Sequence, residues 1–198
     1  MLRGLLIGGV IGVTAGLGAF VQQTGWLDKP QVEITTIRWE PQRTHEMTVS
    51  QWWELEYGND EDIPDEIEEA SIIAGNRFDI APEIFQAMGE TESQYDVDAF
   101  DGQSLGWLQV TPKWHAARIA DYGLEAEDMY DPTCCALIAG DYLSELLEKY
   151  DGDMALALMA YNGHISGIRR YYKTGQMSGY AETILRRSEE LEVKHGKK

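Results

Sequence analysis

The feature that most constrains the fold is the spacing of apolar residues after residue 66, which follows the period of an amphipathic helix. Ile67, Ala70, Ile73 and Ala74 form the first stripe, at separations of three and four residues. Further helical segments are predicted at 84–88, after Thr111-Pro112, and at 136–150, 154–161 and 180–191. Few segments in this part alternate as strands do, so we expect an all-α domain over residues 66–198.

The amino-terminal part of the chain has the composition of a membrane segment. Residues 4–21 are an uncharged run of about 18 residues, preceded by Arg3. We expect residues 1–22 to be an uncleaved membrane anchor, with a cleaved signal or a buried helix as alternatives. The positive end favours an amino terminus in the cytoplasm. The rest of the chain is then expected on the cell-wall side of the membrane, or secreted if the segment is cleaved.

Glycines recur at every fourth position of this segment: Gly4, Gly8, Gly12 and Gly16. On a helix they would form one smooth stripe, which permits close helix–helix approach in lipid. Self-association is therefore one interpretation, and a simple lowering of hydrophobicity is the other.

Residues 23–65 are expected to be an acidic stalk. They contain Pro30, Pro41 and Pro64, and residues 32–37 have a β-rich composition that suggests one short strand or hairpin. Carboxylates are dense from Glu54 to Glu69 but lack the alternating spacing and central glycine of a calcium loop. A solvated spacer fits this run best.

Charge and histidine spacing exclude several classes of function. A formal net charge of -18 repels phosphate backbones, so we expect no nucleic-acid partner. Such a surface also does not attract the anionic polymers of a cell wall, so recognition of a wall would need a shaped cleft. The four histidines have no ligand spacing, and no phosphate-binding glycine loop is present. Neither a metal nor a cofactor is therefore expected.

The two cysteines are neighbours, Cys134 and Cys135. Because neighbouring cysteines close a strained ring, we expect two small, buried residues at the start of a helix. A vicinal disulfide or an intermolecular bridge is the alternative.

Residues 88–112 contain the most informative chemistry. Glu92 lies at the end of an apolar helical run, and a glycine-rich turn and Gln109 follow it. An acid that protonates a glycosidic oxygen needs a raised pKa, which apolar neighbours such as Phe85 and Met88 would supply. Glu90 points to another side of the same helix, and spacing alone does not choose between the two acids.

These motifs resemble those of a known enzyme family. Glu92-Ser93-x-Tyr95 is similar to Glu-Ser-x-[Phe/Tyr], and residues 106–109, Gly-Trp-Leu-Gln, resemble Gly-Leu-Met-Gln. Residues 155–163 are similar to an Ala-Leu-Ala-Ala-Tyr-Asn-Ala/Gly-Gly block. In this order and spacing, over residues 72–187, they resemble the soluble-lytic-transglycosylase (lysozyme-like) family. The resemblance implies a lysozyme-like fold that cleaves the glycan strands of peptidoglycan, and it selects Glu92 over Glu90.

The resemblance also implies roles for single residues. Glu92 matches the general acid, which later serves as base. Gln109 and Asn162 match residues that contact the sugar and its acetamido group. Tyr161 matches an aromatic residue beside the acid, where its hydroxyl could bond the carboxyl, with a buried core tyrosine as the alternative. Ser93 either holds a neighbouring group in place or caps the helix end.

The implied reaction is cleavage of the MurNAc–GlcNAc bond with formation of a 1,6-anhydro end. One glutamate suffices for it, and the three candidates for a second carboxylate, Asp96, Asp98 and Asp101, lie in a turn expected to be solvated. Two alternatives stay open. One is a goose-type-like hydrolytic lysozyme or phage endolysin, in which water attacks; the other is a non-catalytic wall-binding module.

Overall fold

The computed structural model describes residues 62–197, and most of these residues lie in helices. The predicted membrane segment, its glycine stripe and the stalk up to residue 61 lie outside the described residues. Seven α-helices and one 3₁₀ helix are present in the described part: α1 Asp65–Phe78, α2 Pro82–Ser93, α3 Pro112–Asp121, the 3₁₀ helix Ala126–Tyr130, α4 Pro132–Lys149, α5 Met154–Tyr161, α6 Ile165–Thr174 and α7 Gly179–Lys194. Within it, β structure is limited to isolated bridges of Leu105 with Phe100 and with Val110. The all-α prediction is confirmed for this region.

Local sequence accounts for where the helices begin. Proline occupies the first turn of α2, α3 and α4, where its missing N–H leaves no hydrogen bond unmade. The Asp131 and Asp153 carboxylates and the Ser178 hydroxyl cap α4, α5 and α7 by accepting backbone N–H groups. Helix α4 begins at Pro132, four residues before the predicted start. Helix α6 was not predicted, because Gly163 and Gly167 flank its start.

The core is formed where α1 packs on α4 and α2 packs on α7, with α5 between α4 and α7. Helix α5 is apolar on all sides and its residues 155–160 are buried, as expected for a helix enclosed by neighbours. Ile63 is also buried, so packed residues begin slightly before the expected boundary at residue 66.

Polar contacts fix α7 against α2 at both ends of the pair. Glu83, fully buried at the start of α2, lies 2.9 Å from His195 Nδ1 and 2.7 Å from Lys197 Nζ. Burial alone raises the pKa of Glu83, but these two partners outweigh it and hold the pKa below its usual value. Near the other end of α2, Arg187 Nε donates to Glu90 at 2.6 Å. The middle of α7 is thereby held beside the end of α2.

None of the helices within residues 62–197 is both long and apolar enough to cross a membrane. The two cysteines lie in the first turn of α4 as free thiols, and Cys135 is buried. Burial is the main cause that raises the pKa of each thiol to about 12, so both stay protonated. The expectation of two buried residues at a helix start holds for Cys135, whereas Cys134 is half-buried.

Candidate active site

The carboxyl group of Glu92 lies in the last turn of α2, partly buried beside the start of α7. Tyr180, the second residue of α7, donates its hydroxyl to Glu92 Oε1 at 2.5 Å. Burial raises the pKa of Glu92, the Tyr180 hydrogen bond lowers it, and the charge of Asp101 raises it further. The net direction is upward. A carboxyl in this setting holds its proton at a higher pH than a solvated one, which suits a general acid.

Glu90, the other acid of this helix end, has different surroundings. Its Oε2 atom accepts from Arg187 and, at 3.4 Å, from the Tyr95 hydroxyl. This carboxylate is the ion-pair partner of a guanidinium and so helps to hold α7 on α2. The two glutamates thus lie in separate environments, as their two-residue separation predicts.

A loop at residues 106–110 lies between the Glu92 end of α2 and the end of α5. Ser93 donates its hydroxyl to the Trp107 carbonyl at 2.9 Å, and Tyr161 donates to the Leu108 carbonyl at 3.0 Å. Neighbouring carbonyl groups of one loop are therefore held from two helices. Ser93 holds a group 14 positions away, which is the first of the two interpretations given above. Tyr161 does not form the hydrogen bond to Glu92 that the resemblance allowed, because its hydroxyl donates to the Leu108 carbonyl and the Tyr180 hydroxyl donates to Glu92.

Close packing explains the shape of this loop. Trp107 is fully buried, and a Cβ on Gly89 would lie 2.2 Å from its ring, so only glycine lets α2 approach the indole. Gly106 has a φ of +71°, and a Cβ there would lie 2.0 Å from the Met129 carbonyl oxygen. Cys135 packs beneath the same glycine.

Gln109 projects from this loop into a groove of about 550 Å³. Its backbone is left-handed, with a φ of +49°, and its Nε2 donates to the Gly106 carbonyl at 2.9 Å. Tyr161 and Asn162, at the end of α5, line the same groove. Tyr161 is also close enough to Glu92 for the glutamate's charge to contribute, after burial, to its raised pKa. The structure thus brings the five predicted site residues to two helix ends and the loop between them.

Two of the three aspartates of the turn after α2 use their carboxylates to hold the turn. The Asp96 carboxylate accepts the Asp98 backbone N–H, and the Asp101 carboxylate accepts those of Gln103 and Ser104. These backbone N–H groups lower the pKa of Asp101, so it stays ionised and raises the pKa of Glu92 by its charge. The expectation of solvated turn residues agrees with their exposure.

Sequence reasoning missed the residue that contacts the acid and those that extend the groove. Tyr180 is 88 positions from Glu92, and the sequence indicated only that it belongs to the last helix. The groove also includes Trp114, His115, Arg118 and Tyr142. Trp114, in the helix predicted after Thr111-Pro112, is 73% exposed. The sequence signal that could have indicated this part of the groove is the high density of aromatic and basic residues in α3.

Comparison with known proteins supplies the family context for this geometry. The family model described as the Transglycosylase SLT domain matches residues 69–184. Two curated relatives, both called X polypeptide, come from Escherichia coli and from Escherichia coli strain K12. Each is 28% identical over 120 residues, covering 58% of this chain and 69% of the relative. No solved structure matches the chain.

Proposed function

Because this chain belongs to the SLT family of transglycosylases, and is thus a peptidoglycan lytic transglycosylase, we propose that Glu92 is the single carboxyl group that performs its chemistry. The observation that carries this proposal is the surroundings of Glu92: partial burial, a raised pKa and one hydrogen bond from Tyr180. Glu90, the neighbouring acid, is neutralised by Arg187.

In the proposed first step, protonated Glu92 donates its proton to the oxygen of the MurNAc–GlcNAc bond. The bond to C1 of MurNAc breaks, and the acetamido group of that sugar stabilises the developing cation. Gln109 and Asn162, which line the groove, contact the sugar and its acetamido group. Tyr161 and Ser93 hold the loop that carries Gln109.

In the second step, ionised Glu92 accepts the proton of the MurNAc 6-hydroxyl, and the 6-oxygen closes on C1. The product is a 1,6-anhydroMurNAc end, and the carboxyl returns to its protonated form. The Tyr180 hydrogen bond stabilises the ionised form that exists between the steps, while burial favours the protonated form that starts the cycle. One residue can then serve as acid and base in turn.

The location of the enzyme is proposed from the sequence alone. Arg3 followed by an uncharged run over residues 4–21 supports a single membrane anchor that places the catalytic domain on the cell-wall side. The Gly4, Gly8, Gly12 and Gly16 stripe supports association of two such anchors in the membrane. Fractionation of cells, with protease access from the periplasmic or outer side, tests the first point.

Digestion of purified sacculi by the full-length protein tests the chemistry. We expect Glu92→Gln to lower the cleavage rate by about 10²- to 10⁴-fold, the usual contribution of a positioned acid or base. Glu90→Gln is the matched control, since it changes the same group two positions away, and should keep most of the activity. Mass spectrometry of the muropeptides should show anhydro ends. Reducing ends would show hydrolysis instead, and full activity of Glu92→Gln would exclude Glu92 as the acid.

A further inference from the structure

The contacts from Ser93 and Tyr161 hold the loop at residues 106–110 by its carbonyl groups, and its backbone N–H groups need partners as well. Within residues 62–197, no main-chain carbonyl accepts the Leu108 N–H. Leu108 is fully buried, so water does not reach this N–H either. Because a buried N–H without an acceptor is costly, a side chain is expected to accept it.

The side chain at that position is the thiol of Cys135. Leu108 and Val110 both direct their backbone N–H groups at it. Cys135 is fully buried near the start of α4, and a Cβ on Gly106 would lie 3.1 Å from its Sγ. The sulfur is thus in close contact with the loop. The Val110 N–H is shared, since it also donates to the Leu105 carbonyl at 3.0 Å.

The start of α4 accepts a further donor of the same loop. The indole Nε1 of Trp107 donates to the Pro132 carbonyl at 3.0 Å. The loop is therefore held by two kinds of contact. Helices α2 and α5 donate to its carbonyl groups, whereas the start of α4 accepts its N–H groups.

Gln109 is the residue between the two that donate to the sulfur. Its φ of +49° is left-handed, a conformation that a residue with a side chain keeps only where the surrounding structure holds it. Two N–H groups, one on each side of Gln109, meet at the Cys135 sulfur. This arrangement fixes the backbone on both sides of Gln109 and, with it, the direction in which the side chain enters the groove.

The thiol is suited to accept hydrogen bonds rather than to react. Burial is the main cause that raises the pKa of Cys135 to about 12, so almost none of it is ionised at neutral pH. The thiolate, and not the thiol, is the nucleophile of cysteine chemistry. A protonated sulfur remains a weak acceptor for backbone N–H groups.

We propose that Cys135 is a positioning residue for Gln109: its Sγ accepts the N–H groups on both sides of Gln109 and thereby sets where the carboxamide meets the substrate. The proposal rests on the proposed function in one respect, the contact of Gln109 with the sugar. Cys135 itself does not touch the reacting atoms.

A matched pair of substitutions separates these hydrogen bonds from packing. Cys135→Ala and Cys135→Ser leave side chains of nearly equal size, but only serine keeps an acceptor. We expect Cys135→Ala to lower kcat/KM for cleavage of sacculi by the full-length protein about tenfold, as a small misplacement of a substrate contact does, and Cys135→Ser to recover much of this loss. Cys134→Ala is the control and should keep the activity, because the Cys134 thiol contacts Asp131 instead.

A double-mutant cycle distinguishes positioning from a general loss of structure. If the thiol acts through Gln109, Cys135→Ala should have little further effect on kcat/KM in the Gln109→Ala protein, although it lowers the urea midpoint in both backgrounds. Equal fold-losses of kcat/KM in the two backgrounds, or equal activity of Cys135→Ala and Cys135→Ser, would overturn the proposal.

NMR of the full-length protein provides a readout that does not depend on activity. The ¹⁵N resonance of the Gln109 side-chain amide should shift in Cys135→Ala and stay unchanged in Cys134→Ala; an unshifted resonance in Cys135→Ala would overturn the proposal. If Gln109→Ala cleaves sacculi at the parent's rate, the proposed sugar contact fails, while a shifted resonance still supports the positioning. Thermal melting shows whether each variant is folded. If Cys135→Ala is not, Cys135→Val, which fills the space without an acceptor, takes its place.

Discussion

Replacing Tyr180 by phenylalanine removes one oxygen atom from the surroundings of Glu92. That oxygen donates to Glu92 Oε1 at 2.5 Å, and it is the contact that lowers the pKa of the carboxyl. What remains, burial and the charge of Asp101, acts in the opposite direction. We therefore expect the pKa of Glu92 to be higher in Tyr180→Phe than in the unaltered protein.

The size of the effect follows from the strength of the lost hydrogen bond. A hydrogen bond to a charged group contributes about 1.5–3 kcal/mol. Glu92 is only partly buried, so water replaces some of the lost contact and the lower figure applies. Since about 1.4 kcal/mol is a factor of ten, the ratio of protonated to ionised Glu92 at a given pH should rise roughly tenfold. The proposed first step requires the protonated form, so the decline of activity at high pH should move to higher pH.

The same shift affects stability, and its sign can be worked out. Glu92 has a higher pKa in the folded protein than its usual value, so its protonated form favours the folded state at low pH. This contribution is lost as the pH rises through the folded pKa. Tyr180→Phe raises that pKa further, so its free energy of unfolding should fall more, as the pH rises through the folded pKa, than that of the unaltered protein.

Two measurements check this prediction. One is the pH dependence of kcat/KM for cleavage of sacculi, and the other is the ¹³C-NMR titration of the labelled Glu92 carboxyl, which does not depend on activity. Tyr161→Phe is the matched control. It also removes one hydroxyl near the site, but that hydroxyl donates to the Leu108 carbonyl and not to Glu92. An unchanged titration in Tyr180→Phe, or an equal shift in Tyr161→Phe, would refute the reasoning.

Two further predictions concern the packing beneath the loop. Gly89→Ala should destabilise the protein by about 1–3 kcal/mol in a urea titration, because the added Cβ would lie 2.2 Å from the buried Trp107 ring. Gly179→Ala is the control, since a Cβ there meets nothing within 4 Å, and its free energy of unfolding should be nearly unchanged. Equal effects of the two alanines would contradict this. Ser93→Ala should cost about 0.5–1.5 kcal/mol through the lost hydrogen bond to the Trp107 carbonyl. No change in its urea midpoint would show that this bond contributes nothing to stability.

The helices could be predicted from sequence because their signals are local. Pro82 and Pro112 start helices, and the apolar periods that follow them need no knowledge of the rest of the chain. Helix α6 departs from this rule because two glycines lie near its start and most of its residues are exposed. The apolar members that mark it, Ile168 and Tyr171, are too few to distinguish a helix from a loop.

The site could be predicted only in part, because its decisive contacts join distant segments. Resemblance selected Glu92, but a resemblance does not show which tyrosine bonds to it. Tyr161 follows a recognisable motif, whereas Tyr180 comes within reach of Glu92 only because α7 packs on α2. That packing includes the contact between Glu83 and His195, which are 112 positions apart. Information of this kind is absent from any local pattern.

The loop at residues 106–110 explains why the predicted residues act together although they belong to separate motifs. Ser93 holds its Trp107 carbonyl from the α2 side, and Tyr161 holds its Leu108 carbonyl from the α5 side. Gln109 is the next residue, so its position relative to Glu92 is set by both contacts. A change at either hydroxyl would therefore move Gln109 relative to the acid without altering any group that we propose to perform the chemistry.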